Sequence, residues 1–253
     1  MPHALGRGVV AAIVFSAFAL AGDAEARNAK PGKRPGRARQ SVSRSVAPMA
    51  SVERPALREE VLDLALRAHR CAASRGEVLR PLLAVIDYSR PSTDRRLWMV
   101  DTTSGRVLRQ ELVAHGRGSG DLFAESFSNE HESHQTSLGL FVGRNVYQGE
   151  HGLSLRLIGL ERGINDKAYE RAIVMHGAWY VGEDHVARWG RLGRSHGCPA
   201  LAPEVTASVI EGLRDGAALF AYADDPEFLR RSAYLRCDPE ALPSRVAAAP
   251  AAR

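Results

Sequence analysis

The chain has little cysteine: three residues among 253. That scarcity excludes a small disulfide-built scaffold and a four-cysteine zinc ribbon. There is no Cys-x-x-Cys and no His-Glu-x-x-His, so no strong zinc motif is present. Six of the seven histidines between residues 115 and 196 (His115, His131, His134, His151, His176, His196) keep a metal site open as a rival reading, but their spacing matches no ligand set. The expectation is therefore no metal and no cofactor, with His131 and His134 as solvated or substrate-contacting loop residues. Long apolar runs are missing too. The longest, Val9 to Ala21, is interrupted by Ser16 and falls short of the roughly 20 residues that a spanning helix needs. The folded part also lacks an excess of charge of one sign. Of the formal +5, residues 1–50 carry Arg7, Arg27, Lys30, Lys33, Arg34, Arg37, Arg39 and Arg44 against Asp23 and Glu25, which leaves the rest near neutral. A domain without a basic excess argues against a nucleic-acid partner. No internal repeat is visible.

What is there divides into four parts. Residues 1–26 read as a secretory signal peptide: a basic start, a short apolar core, and the small-x-small sites Ala19-Leu20-Ala21 and Ala24-Glu25-Ala26. The alternative is an uncleaved N-terminal anchor. The first reading predicts an exported protein of the periplasm or cell envelope, with no integral span after cleavage. Residues 27–55 form a basic Pro/Gly/Ser-rich linker, either a solvated tether or a segment weakly drawn to anionic envelope surfaces. Residues 56–240 carry the periodic patterns of a folded domain. Residues 241–253 are an Ala/Pro-rich tail expected to be disordered.

Within the folded part, Leu57, Val61, Leu64, Ala65, Ala68, Cys71 and Ala72 share one face of a helix that Gly76 ends. Strands are expected at 82–86, 97–100, 107–114, 138–147, 153–160, 172–175 and 217–222. Thr102-Thr103-Ser104-Gly105 serves as a hairpin turn. Asn165 to Arg171 reads as a short helix capped by Asn165, and Pro203 to Leu213 as a helix with proline in its first turn. Residues 115–135 are a long polar loop, a length more often functional than idle. The fold class is mostly β with peripheral helices (α+β), a sheet or sandwich.

Eighteen residues separate His176 from Ser195-His196-Gly197-Cys198. An ordinary thiol is only a few per cent thiolate at neutral pH, so a catalytic cysteine needs a base, and His176 at the end of a predicted strand is the candidate. A turn His196-Gly197-Cys198 can aim successive N–H groups at an oxyanion, with Ser195 fixing the turn or orienting a histidine. The helix from Pro203 can add its N-terminal field if it points at the sulfur. The bland alternative is a buried, inert cysteine. In an oxidising compartment two of three cysteines can pair. A Cys71–Cys237 bridge leaves Cys198 free and stabilises by up to about 5 kcal/mol on the chain-entropy model; the alternative is that both are reduced and buried.

His176-Gly177 followed by Ser195-His196-Gly197-Cys198 resembles the signature of L,D-transpeptidases with a YkuD-type domain. Gln135-Thr136-Ser137-Leu138-Gly139-Leu140-Phe141 resembles the segment preceding their active site, with Ser137 where proline is usual. Val113 to Gly116, Ser154 to Leu160, Ile173 to Tyr180 and Arg191 to Ser195 are similar to the divergent murein L,D-transpeptidase catalytic-domain branch. The similarity spans residues 57–237 and implies an L,D-transpeptidase-like β-sandwich. Cys198 would be the nucleophile and His176 its base. Ser195, His196 and Gly197 would form the oxyanion hole and hold the base's orientation. His115, Thr136, Gly139, Trp179 and Arg194 are the expected substrate-binding positions. The implied partner is the peptidoglycan stem peptide: attack after meso-diaminopimelic acid releases D-alanine and leaves a thioester. A second stem amine completes transpeptidation, whereas water would make the chain an L,D-carboxypeptidase or murein peptidase. A third reading is a non-catalytic murein-binding domain. Pro199-Ala200 stands where the family usually has an aliphatic residue and then Arg or Asn, and the His176–Ser195 spacing is slightly longer than usual.

Overall fold

The computed structural model describes residues 56–238. The signal-peptide and linker readings, and the tail at 241–253, lie outside the described residues. Four helices and nine strands follow in chain order: α1 Glu59–Ser74, β1 Leu82–Asp87, β2 Leu97–Asp101, β3 Val107–Glu111, β4 Val113–Ala114, β5 Gly139–Gly149, β6 Gly152–Gly159, β7 Val174–Gly177, α2 Glu183–Trp189, β8 Ala200–Leu201, α3 Pro203–Leu213, β9 Ala218–Tyr222 and α4 Pro226–Arg231.

Hydrogen bonding runs through all nine strands in the order β3-β2-β1-β9-β5-β6-β7-β8-β4. Only Leu112 separates β3 from β4 in the chain, yet these two strands are the opposite edges of the sheet. The sheet therefore curls until its edges approach, giving a nearly closed, barrel-like form. Closure of this kind removes the exposed-edge problem of a flat sheet. The architecture is mostly strand with few helices, as the sequence pattern implies.

The apolar half is built on β1 and β9, which pair in parallel from Leu83↔Ala218 to Asp87↔Tyr222. Every residue of β9 is buried, and so are five of the six in β1. Strands covered on both faces lose the in/out alternation, which is why they appear in the sequence as continuous apolar runs. Helix α1 lays Val61, Ala65, Ala68, Cys71 and Ala72 against this core, and Cys71 is bonded to Cys237, 166 residues later, with a Cα–Cα distance of 6.2 Å. The β2–β3 hairpin turns as expected at Thr102–Gly105: Asp101 Oδ1 accepts from the N–H groups of Thr103 (2.8 Å) and Ser104 (3.2 Å).

Asn165–Arg171 is a series of turns, not the expected helix. Asn165 is fully buried and spends its side chain across the fold. Its Nδ2 donates to the carbonyls of Leu138 (2.9 Å) and Leu140 (3.1 Å), and its Oδ1 accepts from the N–H of Glu161 (2.8 Å). An asparagine used in this way pins a loop to a strand and cannot cap a helix with the same atoms. Helix α3 has the bounds that the sequence indicated, with Pro203 in its first turn and Thr206 Oγ1 donating to the Ala202 carbonyl at 2.8 Å.

Candidate active site

The site forms where the short strands β7, β8 and β4 meet the long polar loop. Strand β7 pairs in parallel with β8, His176 opposite Ala200 and Gly177 opposite Leu201. Two residues back along both strands, that register brings Cys198 beside Val174. The Val174 N–H donates to Cys198 Sγ at 3.4 Å, and the thiol in turn lies 3.8 Å from the Ala172 carbonyl, to which it donates. His176 follows Val174 by one strand alternation, so it stands on the same face of the sheet. The register thus sets His176 two residues along β7 from Val174, the residue beside Cys198. The thiol's hydrogen-bond partners come from the entry of β7, not from the N-terminus of α3.

His176 is almost fully buried, and its Nδ1 lies 3.0 Å from the Gly177 carbonyl. A carbonyl only accepts, so Nδ1 carries the proton and Nε2 keeps its lone pair, the form that a general base requires. Burial, with a contribution from the nearby His151, holds this imidazole below its usual range, so the ring is neutral at neutral pH. His151 stacks on it with ring centroids 4.5 Å apart. Burial pushes the Cys198 thiol up, while the Val174 N–H and the charge of Arg171 pull against that rise. Cys198 is the free cysteine, because Cys71 and Cys237 are bonded to each other.

The turn before the sulfur is fixed from within and from behind. Ser195 Oγ donates to the Cys198 carbonyl (2.6 Å) and accepts from the Gly197 N–H (3.1 Å). This engages the Gly197 N–H, one of the donors the sequence offered to an oxyanion, within the turn itself. Gly197 has φ +119, and a Cβ there would sit 2.8 Å from the Gln135 carbonyl oxygen, so the turn has no room for a side chain. Thr136, fully enclosed, accepts from the Gly116 N–H (2.9 Å) and donates to the Gly197 carbonyl (3.4 Å). His196 is exposed and packs on His134, centroids 4.5 Å apart.

Behind the turn lies a buried cation that the sequence did not announce. Arg96 has no exposed surface; it donates to the carbonyls of Arg90 (2.7 Å) and Val113 (3.1 and 3.2 Å) and to His115 Nδ1 (2.7 Å), and it lies over the ring of buried Tyr88. Because arginine only donates, His115 must accept at Nδ1 and carry its proton on Nε2, which faces the Gly120 carbonyl at 3.3 Å. Burial and then the Arg96 charge depress His115 to about 4. The His115 carbonyl accepts from the Ser195 N–H at 2.9 Å, so this network holds the start of the nucleophile turn.

The expected substrate-binding positions therefore separate. His115 is fully buried with both ring nitrogens engaged, and Thr136 is enclosed beneath the turn; both hold the turn from behind. Gly139 opens β5 against the side chains of Glu161 and Asn165. Trp179 stands 80% exposed and, with His151, Gly177, Pro203 and Thr206, lines a cleft of about 300 Å³ next to His176. Arg194 is half-buried, donating to the Gly120 carbonyl (3.0 Å) and pairing with Asp121 (2.6 Å). Among the described residues, no group of three His, Cys, Asp or Glu side chains is placed to hold a metal ion.

The L,D-transpeptidase catalytic domain model matches residues 53–222, and the chain belongs to that family. No curated protein matches it. Among solved structures it is similar to an L,D-transpeptidase from Mycobacterium smegmatis (16% identity, 56% of this chain and 59% of that one, TM-score 0.35). It is also similar to one from Stackebrandtia nassauensis (18%, 64% and 66%, 0.34) and to L,D-transpeptidase 3 of Mycobacterium tuberculosis (11%, 56% and 60%, 0.37). The chain thus spans 59%, 66% and 60% of these three structures.

Proposed function

We propose that this protein is an exported cysteine L,D-transpeptidase that acts on peptidoglycan stem peptides through a thioester. The observation that carries the reading is a free thiol, Cys198, hydrogen-bonded to the Val174 N–H, with His176 two residues further along the same strand and its Nδ1 bonded to the Gly177 carbonyl. A thiol and an imidazole so placed suit the roles of nucleophile and base. Membership of the family supports the substrate class. Export rests on the N-terminal segment, which lies outside the described residues; among the described residues no helix is long and apolar enough to cross a membrane.

In this reading His176 Nε2 takes the proton of Cys198 as sulfur attacks the carbonyl of the diaminopimelic acid residue. The N–H of Cys198 meets the oxyanion of the tetrahedral intermediate. His176 then returns the proton to the departing D-alanine amine, leaving the thioester. An acceptor amine, deprotonated by the same histidine, closes the cycle and frees the thiol. If water is the acceptor, the same site is a carboxypeptidase or murein peptidase. Product mass spectrometry on purified tetrapeptide muropeptides separates them: a cross-linked dimer is expected, whereas tripeptide alone would make the chain a hydrolase. Unchanged turnover in Cys198→Ala, or no product with the native chain, would remove the thiol mechanism.

A further inference from the structure

One charge beside the nucleophile has no part in the chemistry above. Arg171 directly precedes Ala172, whose φ of +54 reverses the chain at the entry to β7. That left-handed residue turns its carbonyl toward the Cys198 thiol while sending the Arg171 side chain under the 128–137 loop. Nη1 donates to the Ser128 carbonyl (2.7 Å) and Ser137 Oγ (2.6 Å). Nη2 donates to the Gln135 carbonyl (2.8 Å) and Ser133 Oγ (3.1 Å). All four acceptors are neutral. They orient the guanidinium without cancelling its charge. Glu130, the carboxylate whose field reaches it, is exposed and bound to Lys167 at 2.7 Å. Nη2 stands 3.4 Å from the place of a Cβ on Gly197, so the cation lies against the turn that carries the sulfur.

A half-buried cation costs desolvation energy, and four neutral acceptors offset only part of it. A persistent left-handed alanine is a further cost, of the kind that persists where surrounding structure imposes it. Both features lie beside the turn that carries Cys198: the guanidinium against Gly197 and the Ala172 carbonyl against the thiol. We propose that Arg171 is the counter-charge of the Cys198 thiolate, a positioning residue whose fixed guanidinium, together with the Val174 N–H, favours S⁻ over S–H at the nucleophile. On ionisation the S–H bond breaks and the proton forms an N–H bond at His176 Nε2; Arg171 keeps all its protons, and net charge is conserved.

The other titratable groups around the sulfur do not supply this charge. Tyr88, after β1, is buried and pushed well above the usual phenol range; Tyr180, after β7, is pushed up to about 12, by burial first and then by Cys198. Both are neutral between pH 6 and 9. His176 on β7, under the stacked ring of His151, is held low by burial, and His196 in the turn is held low by its partial desolvation and then by the charge of Arg117. Arg171 is the cation present before the proton reaches His176, and it stays charged whichever of the two holds that proton.

The inference rests on Cys198 as the reactive thiol, but its test needs no wall substrate. The full-length chain is alkylated with iodoacetamide from pH 5 to 10, the adduct on Cys198 is followed by intact mass, and thermal unfolding is recorded in parallel. Arg171→Gln is expected to move the midpoint of the rate–pH profile up by about one unit and to slow alkylation at pH 7 about tenfold. Arg171→Lys, which keeps the charge, stays within about threefold of the native rate. Ser137→Asp neutralises the guanidinium in place and gives the same upward shift, which keeps the test decisive should Arg171→Gln not fold. A native midpoint in Arg171→Gln or in Ser137→Asp, or an equal shift in Arg171→Lys, overturns the proposal. Native Cys198 unreactive at every pH would overturn the nucleophile reading along with it; a reactive Cys198 with no shift would overturn only the role of Arg171.

Discussion

The two ends of the curled sheet are made differently. Around β1 and β9 the interior is continuous apolar packing, closed by α1 and the Cys71–Cys237 bond. Around β7, β8 and β4 the apolar cluster is small, with Leu112, Ala114, Ala178, Val181, Leu192, Ala200 and Ala202 as its buried members. Directional bonds do the rest there: Arg96 and Arg171 to carbonyls and hydroxyls, Thr136 to Gly116 and Gly197, Ser195 to Cys198. Apolar packing is non-directional and tolerates repacking, whereas a hydrogen bond fixes one atom against another. The first end holds the fold together, and the second sets where the sulfur and the imidazole stand.

The comparison is broken most strongly at the stapled end. Replacing Cys71 and Cys237 together by serine opens a loop of 166 residues and is expected to cost on the order of 5 kcal/mol of unfolding free energy, read by urea denaturation. Cys198 alkylation of the still-folded protein should stay native. Phe220→Ala empties a fully buried position of β9 and should cost about 3–5 kcal/mol, again without changing the chemistry of the thiol. Loss of thiol reactivity in either variant, at a temperature where it is folded, would merge the two regions into one.

The site end carries the pH dependence. His115 titrates at about 4 when folded and near 6.5 when unfolded, so between these values the unfolded chain binds more protons. Stability is therefore complete above about pH 6.5 and falls as pH drops toward 4, by on the order of 3 kcal/mol from this group. The depressed His176 and His69 act in the same direction. Denaturation midpoints at pH 7 and 4.5 measure it, and His115→Asn, which cannot gain a proton, should flatten the difference. The smallest effect belongs to Thr136→Val, which removes one hydroxyl of equal shape. We expect about 1–3 kcal/mol, with a larger loss in turnover than in stability, because the bonds lost hold Gly116 and Gly197. Equal losses in both would make Thr136 a simple core residue.

The same division explains what could be read from the sequence. Apolar periodicity marks α1, β1, β5, β6, β9 and α3, and His176 and Cys198 stand out because their types are rare and their surroundings distinctive. Helix α2 has no buried residue, so it carries no apolar stripe to find. Helix α4 is only six residues long, although Asp225 before Pro226 is a legible cap: its Oδ1 accepts from the Phe228 N–H at 2.8 Å. The turns at 165–171 read as a helix in the sequence because an asparagine at a helix start and one bonded across the fold look alike in one dimension. Arg96 and Arg171 gave no signal. Each sits in an ordinary mix of charged and apolar neighbours, and only the assembled carbonyls reveal that the charge is buried.

The most direct test of the account is the intact mass of the protein during turnover of a purified disaccharide tetrapeptide. The account predicts an adduct with the mass of that muropeptide less D-alanine, lost on reduction with borohydride, mapped to Cys198 and absent from Cys198→Ala. Turnover with no such adduct on rapid quenching, or an adduct that persists in Cys198→Ala, would contradict it.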